Sequence, residues 1–229
     1  MESLDLRVLA DVLAWKRSGH AVTLVTVVET WGSAPRPPGA LLAVRDDGVV
    51  SGSVSGGCVD DDLIARTKAA FKAAPAASQD AGKPSMIAYG VTKEEATRFG
   101  LPCGGTLRLV QEPLLDALWV EQLLARTAQH RLVARSLSLA SGQVTLQDAV
   151  RGQSMQFDGS TLTTVFGPTW RLLLLGAGQL SPAVAPLASL LALAVLVCAP
   201  RPCYAAPPHV DVLARLPSMT RHCAPRHRP

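Results

Sequence analysis

The chain has 229 residues, 48% of them hydrophobic and 17% charged, which suffices to bury a core and excludes a largely disordered protein. Ten aromatic residues (four Trp, two Tyr, four Phe) are too few for a surface of base-stacking platforms, so nucleic acid is not an expected partner. The net charge of +4 is uneven: residues 201–229 carry five arginines against Asp211 alone, so the surplus sits there and residues 1–200 are balanced.

Residues 4–18 place Leu4, Val8, Leu9, Val12, Leu13 and Trp15 at helical spacing, with Gly19 as a stop. Residues 21–28 are apolar and β-branched and read as a buried strand. Trp31-Gly32-Ser33-Ala34-Pro35-Arg36-Pro37-Pro38-Gly39 reads as a long ordered loop. A hairpin over 40–54, turning at Asp46-Asp47-Gly48, leads to Ser55-Gly56-Gly57 and a helix from Cys58 to about residue 74. A polar connector covers 75–83, a strand 85–89, and Thr92-x-x-Glu95 is a capping-box signature for a short helix. A Gly-rich turn at 99–105 precedes a strand over 106–111, and Pro113 reads as the start of a helix reaching about residue 129. Residues 131–166 alternate in the manner of strands.

Residues 172–200 carry no charge. A membrane span is one reading. The favoured one is a β-α-β unit, with strands over 172–175 and 193–198 and a helix over 182–191, because Gly176, Gly178, Pro182 and Pro186 interrupt a continuous span.

Two corners set a cysteine beside paired glycines. In Ser53-Val54-Ser55-Gly56-Gly57-Cys58 the glycines allow backbone N–H groups to converge on an anion, and the following helix N-terminus adds positive potential. The same residues would also serve as a tight turn with a packed thiol. Pro102-Cys103-Gly104-Gly105 repeats the pattern. Arg36 offers a rigid fork of donors for a phosphate, or is a solvated loop arginine. Gly176-x-Gly178-x-x-Ser181 is a near match to the dinucleotide fingerprint, yet Ala199 stands where the acidic ribose anchor is expected. Cys203, His209, His222, Cys223 and His227 match no familiar zinc spacing. Five cysteines without a C-x-x-C pair, and acids at Glu2 and Asp5 where a signal peptide needs bases, point to a cytoplasmic protein with reduced thiols.

Taken in order, Leu6-Arg7-Val8-Leu9, the 27–39 segment, Gly52 to Val59 and Gly100 to Gly105 resemble the XdhC/CoxI family of xanthine dehydrogenase accessory proteins. The resemblance is strong over residues 1–112 and resumes at 171–198, where the family places a Rossmann-like domain. It implies an α/β fold: an N-terminal mixed α/β cofactor-handling domain over 1–166, an incomplete Rossmann-like β-α-β unit over 167–205, and a disordered Pro/Arg-rich tail over 206–229. It also implies an accessory factor rather than an enzyme. Such a factor binds the molybdenum cofactor (a molybdopterin), protects it or aids its sulfuration beside a cysteine desulfurase, and delivers it to the molybdenum-binding subunit of apo xanthine dehydrogenase. The candidate cofactor-binding residues are Ser33, Arg36, Ser55, Gly56, Gly57, Cys58, Cys103, Gly104 and Gly105, with the Cys58 and Cys103 thiols toward the molybdenum. Gly176, Gly178 and Ser181 then form a vestigial nucleotide turn, NAD(P) and a membrane are not expected, and a homodimer is a further expectation. The family's Asp-Pro-Arg after the second Rossmann strand is Ala199-Pro200-Arg201 here, and the resemblance ends near residue 205, which implies a truncated second domain. The alternatives are an NAD(P)-binding oxidoreductase-like protein using the 176–181 turn, or a degenerate, non-binding remnant.

Overall fold

The computed structural model describes residues 4–31, 36–57, 59–73, 83–90, 106–167, 170–175, 180–191, 193–198 and 211–212. The chain divides into two units, one over residues 4–167 and one over residues 168–229 with the first three residues.

In the first unit, α1 (Leu4–Arg17) buries Leu6, Val8, Leu9 and Val12, with Asp5 in its first turn and Lys16 and Arg17 in its last, where the helix dipole favours each charge. The strands β1 (Val22–Thr30), β2 (Leu41–Arg45), β3 (Val50–Gly52), β4 (Ser85–Tyr89) and β5 (Leu107–Leu114) form an antiparallel sheet in the order β3-β2-β1-β5-β4. β1 is central and buried on both faces, which explains its unbroken apolar and β-branched run. Val22 and Leu24 pack toward α1 and α3 (Leu118–Ala128), whereas Val25 and Val27 meet Leu63 of α2 (Asp60–Ala73) on the opposite face. A bulge between Val27 and Glu29 turns Val28 toward Leu137 and Leu162 of a second sheet. That sheet is antiparallel, β7-β6-β9-β8, built from β6 (Val133–Ser138), β7 (Val144–Asp148), β8 (Gln156–Phe157) and β9 (Thr161–Phe166).

In the second unit β10 (Trp170–Leu175), α4 (Ser181–Leu190) and β11 (Leu193–Cys198) form a β-α-β unit whose strands pair in parallel. Ala185 and Ala188 of α4 pack on Val195 and Val197 of β11. The membrane reading of this stretch is not supported: α4 has ten residues, and no helix among the described residues is long and apolar enough to cross a membrane. The α/β class with a Rossmann-like unit stands.

Two elements differ from expectation. Pro113 does not begin a helix. β5 continues through it to Leu114, paired with Thr23 and Val22 of β1, and α3 starts only at Leu118. β4 ends its pairing opposite Gln111, so Pro113 lies where β5 has a neighbour on one side only and a missing N–H is tolerated. Asp211 and Val212 form β12, a third parallel strand beside β11, inside the stretch expected to be tail. The capping box at 92–95 and the glycine turn at 99–105 lie outside the described residues.

Candidate functional site

Strand direction and register gather the glycine- and proline-rich loops at one end of the first sheet. β1 finishes at Thr30 opposite Leu107, the first residue of β5, and Leu107 also pairs with Tyr89, the last residue of β4. β2 begins at Leu41 opposite Thr26, and β3 ends at Gly52 opposite Leu42. The segments 31–40, 53–59 and 90–106 therefore all leave from that end. The backbone N–H of Trp31 donates to the Thr106 carbonyl at 2.9 Å, and Gly39 N–H to Val27 at 2.8 Å, fixing the points where two of these segments meet the sheet.

The 53–59 loop is organised around one carboxylate. Asp60, the first residue of α2, is buried and folds back over the loop. Its Oδ1 accepts from Val54 N–H and Ser55 N–H, each at 3.2 Å, and from Ser55 Oγ at 3.0 Å; its Oδ2 accepts from Ser53 Oγ at 2.5 Å. The two hydroxyl groups in turn accept from the glycine corner: Gly56 N–H to Ser53 Oγ at 2.8 Å, Gly57 N–H to Ser55 Oγ at 3.4 Å, and Val59 N–H to Ser55 Oγ at 2.9 Å. This corrects the idea of an open anion nest. The amides of residues 54–57 and 59 already have partners within the chain, and the loop's resident anion is Asp60. What it presents outward is the exposed backbone of Gly56 and Gly57, at φ +76° and +128°, immediately before Cys58.

Arg36 is also partly committed. Its Nε donates to the Ser53 carbonyl at 3.1 Å, and its Nη2 lies 3.7 Å from Asp5 Oδ1 on α1, so the guanidinium stitches the 31–40 segment to the 53–59 loop. Burial pushes the Asp5 carboxyl above its usual range, against the pull of the Arg36 charge and the Leu41 backbone. At the same end Tyr89 Oη donates to Asp62 Oδ2 at 2.8 Å, tying β4 to the first turn of α2; burial, then that hydrogen bond, drives the phenol well above its ordinary value. Tyr89 is thus a neutral donor throughout the physiological range.

The described residues bring Arg36, Ser55, Gly56 and Gly57 together, while Ser33, Cys58, Cys103, Gly104 and Gly105 lie outside them. In the second unit Ser181 opens α4 and is buried; Gly176 and Gly178 lie outside the described residues. No group of three or more metal-ligating side chains occurs among the described residues. Sequence reasoning missed Asp60 and Asp5, whose roles depend on tertiary neighbours. It also missed Trp31, which directly follows β1 with 72% of its surface exposed beside the loop cluster. An exposed tryptophan next to a Gly/Pro-rich loop is a signal that could have marked it.

The resemblance drawn from the motifs holds. Residues 15–80 match the model of the XdhC and CoxI family. The molybdenum cofactor insertion chaperone PaoD of Escherichia coli (strain K12) is 39% identical over 118 residues, 51% of this chain. The match spans about a third of that relative's length (34%). A solved Bacillus halodurans structure described as a xanthine dehydrogenase aligns with a TM-score of 0.66 over 96% of this chain and 70% of its own, at 19% identity, which is a likeness of fold.

Proposed function

From the XdhC/CoxI likeness of residues 15–80 we propose that this chain is a molybdenum cofactor chaperone: an accessory factor that holds the cofactor as cargo, protects it or aids its sulfuration, and passes it to an apo molybdoenzyme of the xanthine dehydrogenase kind. The observation that carries this reading is the meeting of both family-matched loops, 31–40 and 53–59, at one end of a sheet, with Arg36 bonded across them.

The chemistry of that end suits the cargo. The outward Gly56–Gly57 backbone has no Cβ to hold a ligand off, and a Cβ built at Gly57 meets nothing within 4 Å. Trp31 offers an exposed ring on which a flat pterin stacks. The thiols of Cys58 and Cys103 are soft donors suited to a thiophilic metal or its terminal sulfur. Ser33, Ser55, Gly104 and Gly105 complete the proposed contact set. Asp60 does not touch the cargo in this reading; it fixes the loop that does. A cysteine desulfurase supplying the sulfur, a homodimer, a cytoplasmic location and a two-part division near residue 166 complete the proposal.

The test is to purify the full chain from a molybdenum-replete host and assay co-purifying pterin and molybdenum. Near-stoichiometric pterin that falls in both Cys58→Ala and Cys103→Ala supports the assignment. Pterin absent from the wild type, or retained equally in both variants, contradicts it.

A further inference from the structure

Within the first unit, β5 meets the second sheet in layers that the strand period sets. Val110, Glu112 and Leu114 alternate along one face of β5. Facing them, β6 offers Val133, Arg135 and Leu137, and β9 offers Leu162, Thr164 and Phe166. The register pairs Leu137 with Leu162, Arg135 with Thr164, and Val133 with Phe166. Val110 packs with Leu137 and Leu162, and Leu114 shares a cluster with Val133 and Phe166. Glu112, Arg135 and Thr164 therefore form a polar layer between two apolar ones, and they are 5%, 1% and 2% exposed.

The protein satisfies only part of this layer. Both Glu112 oxygens accept from Arg135 Nη2, and the guanidinium carbon lies 4.0 Å from the Trp119 ring centroid. Two buried atoms have no hydrogen-bond partner among the described residues: Arg135 Nε, a donor, and Thr164 Oγ1, which both donates and accepts. They belong to one place. The register sets their residues directly opposite each other on the same face, where Cβ atoms lie about 5 Å apart. In a guanidinium the Nε–H and one Nη2 N–H point along the same edge. A group bonded to Nε is therefore also a neighbour of the Glu112 carboxylate, which offers about four acceptor positions. Buried polar groups left in such a cluster are ordinarily bridged by water, which makes about three hydrogen bonds.

We propose that one ordered water molecule binds in this layer. It accepts from Arg135 Nε–H, shares a hydrogen bond with Thr164 Oγ1 and donates to the Glu112 carboxylate, so β5, β6 and β9 are joined through it. The Glu112–Arg135 pair is neutral as a unit, which disfavours an ion: a cation would face the Nε–H donor and an anion the Glu112 carboxylate. A cavity of about 360 Å³ lined by Glu112 and Trp119 brings solvent to the edge of the layer. The water site lies toward the opposite end of β5 from the proposed cargo site, and either can fail without the other.

The test is a crystal structure of the full-length chain at a resolution that shows ordered water, for the wild type, Thr164→Ser and Thr164→Val. In the wild type a single water peak is expected at about 2.7–3.2 Å from both Arg135 Nε and Thr164 Oγ1. Thr164→Ser keeps the hydroxyl and is expected to keep the water. Thr164→Val has nearly the same shape without the hydroxyl and is expected to lose it. A direct hydrogen bond between Arg135 Nε and Thr164 Oγ1 in the wild type overturns the proposal, and so does a layer with no water peak. A water retained unchanged in Thr164→Val removes Thr164 from the site and overturns it as well. The wild-type structure decides the matter even where a variant fails to fold.

Discussion

Asp60 shows how one side chain decides the state of a loop. Its carboxylate receives two backbone amides and two hydroxyls, and those hydroxyls receive three further amides. Asp60→Ala removes the centre of this network and strands buried donors at Val54 and Ser55. The expected loss is about 3 kcal/mol in urea unfolding, with a smaller loss for Asp60→Asn, which keeps one acceptor oxygen. Equal stability of the Ala variant and the wild type would refute the role. Asp5 is the opposite case. Its carboxyl is raised by burial despite Arg36, so the folded chain holds that proton more tightly than the unfolded chain. The stability it contributes is present at low pH and lost as pH rises through the raised value. Asp5→Asn therefore raises the Tm relative to the wild type at about pH 7 and loses that advantage as the pH falls and the wild-type carboxyl protonates. A difference in Tm independent of pH would contradict this.

At the level of elements, the entry to the loop is fixed by Gly52. It sits at φ +83°, and a Cβ there would overlap the Leu41 carbonyl oxygen and lie 2.7 Å from Val8 Cγ2. Gly52→Ala is expected to cost about 3 kcal/mol or more, since positive φ and overpacking add, whereas Gly57→Ala meets open space and carries the φ cost alone. Thermal unfolding of the two variants side by side checks the order. The buried Glu112–Arg135 pair joins β5 to β6 under α3. Arg135→Met alone should cost about 3–5 kcal/mol, and adding Glu112→Gln should recover much of it, because the penalty is a stranded charge rather than a lost attraction. These elements also show what the sequence could and could not disclose. The apolar periodicity of α1 and the β-branched run of β1 report directly on burial, so both were legible. The end of β5 was not: Pro113 is compatible with a helix start or with a strand edge, and only the absence of β4 beside it decides.

For the whole molecule, the motif residues were legible one loop at a time, as glycine and proline runs. Their assembly was not, because it follows from the antiparallel register that brings the ends of β1, β3 and β4 and the starts of β2 and β5 to one place. The partners of the loop amides were equally hidden, since the triplet Asp60-Asp61-Asp62 reads as helix-start chemistry whichever of the three turns inward. Only the fold distinguishes Asp60, bound to the loop, from Asp62, bound to Tyr89. The same assembly places Trp31 beside the Gly56–Gly57 corner's end of the sheet and gives the proposed cargo site an aromatic wall.

The most direct measurement is equilibrium binding of isolated molybdenum cofactor to the full chain, followed by pterin fluorescence under anaerobic conditions, for the wild type and Trp31→Ala. The account predicts saturable binding that weakens by about tenfold in the variant, the scale of one lost stacking contact. No saturable binding by the wild type, or identical affinity in both, would contradict it.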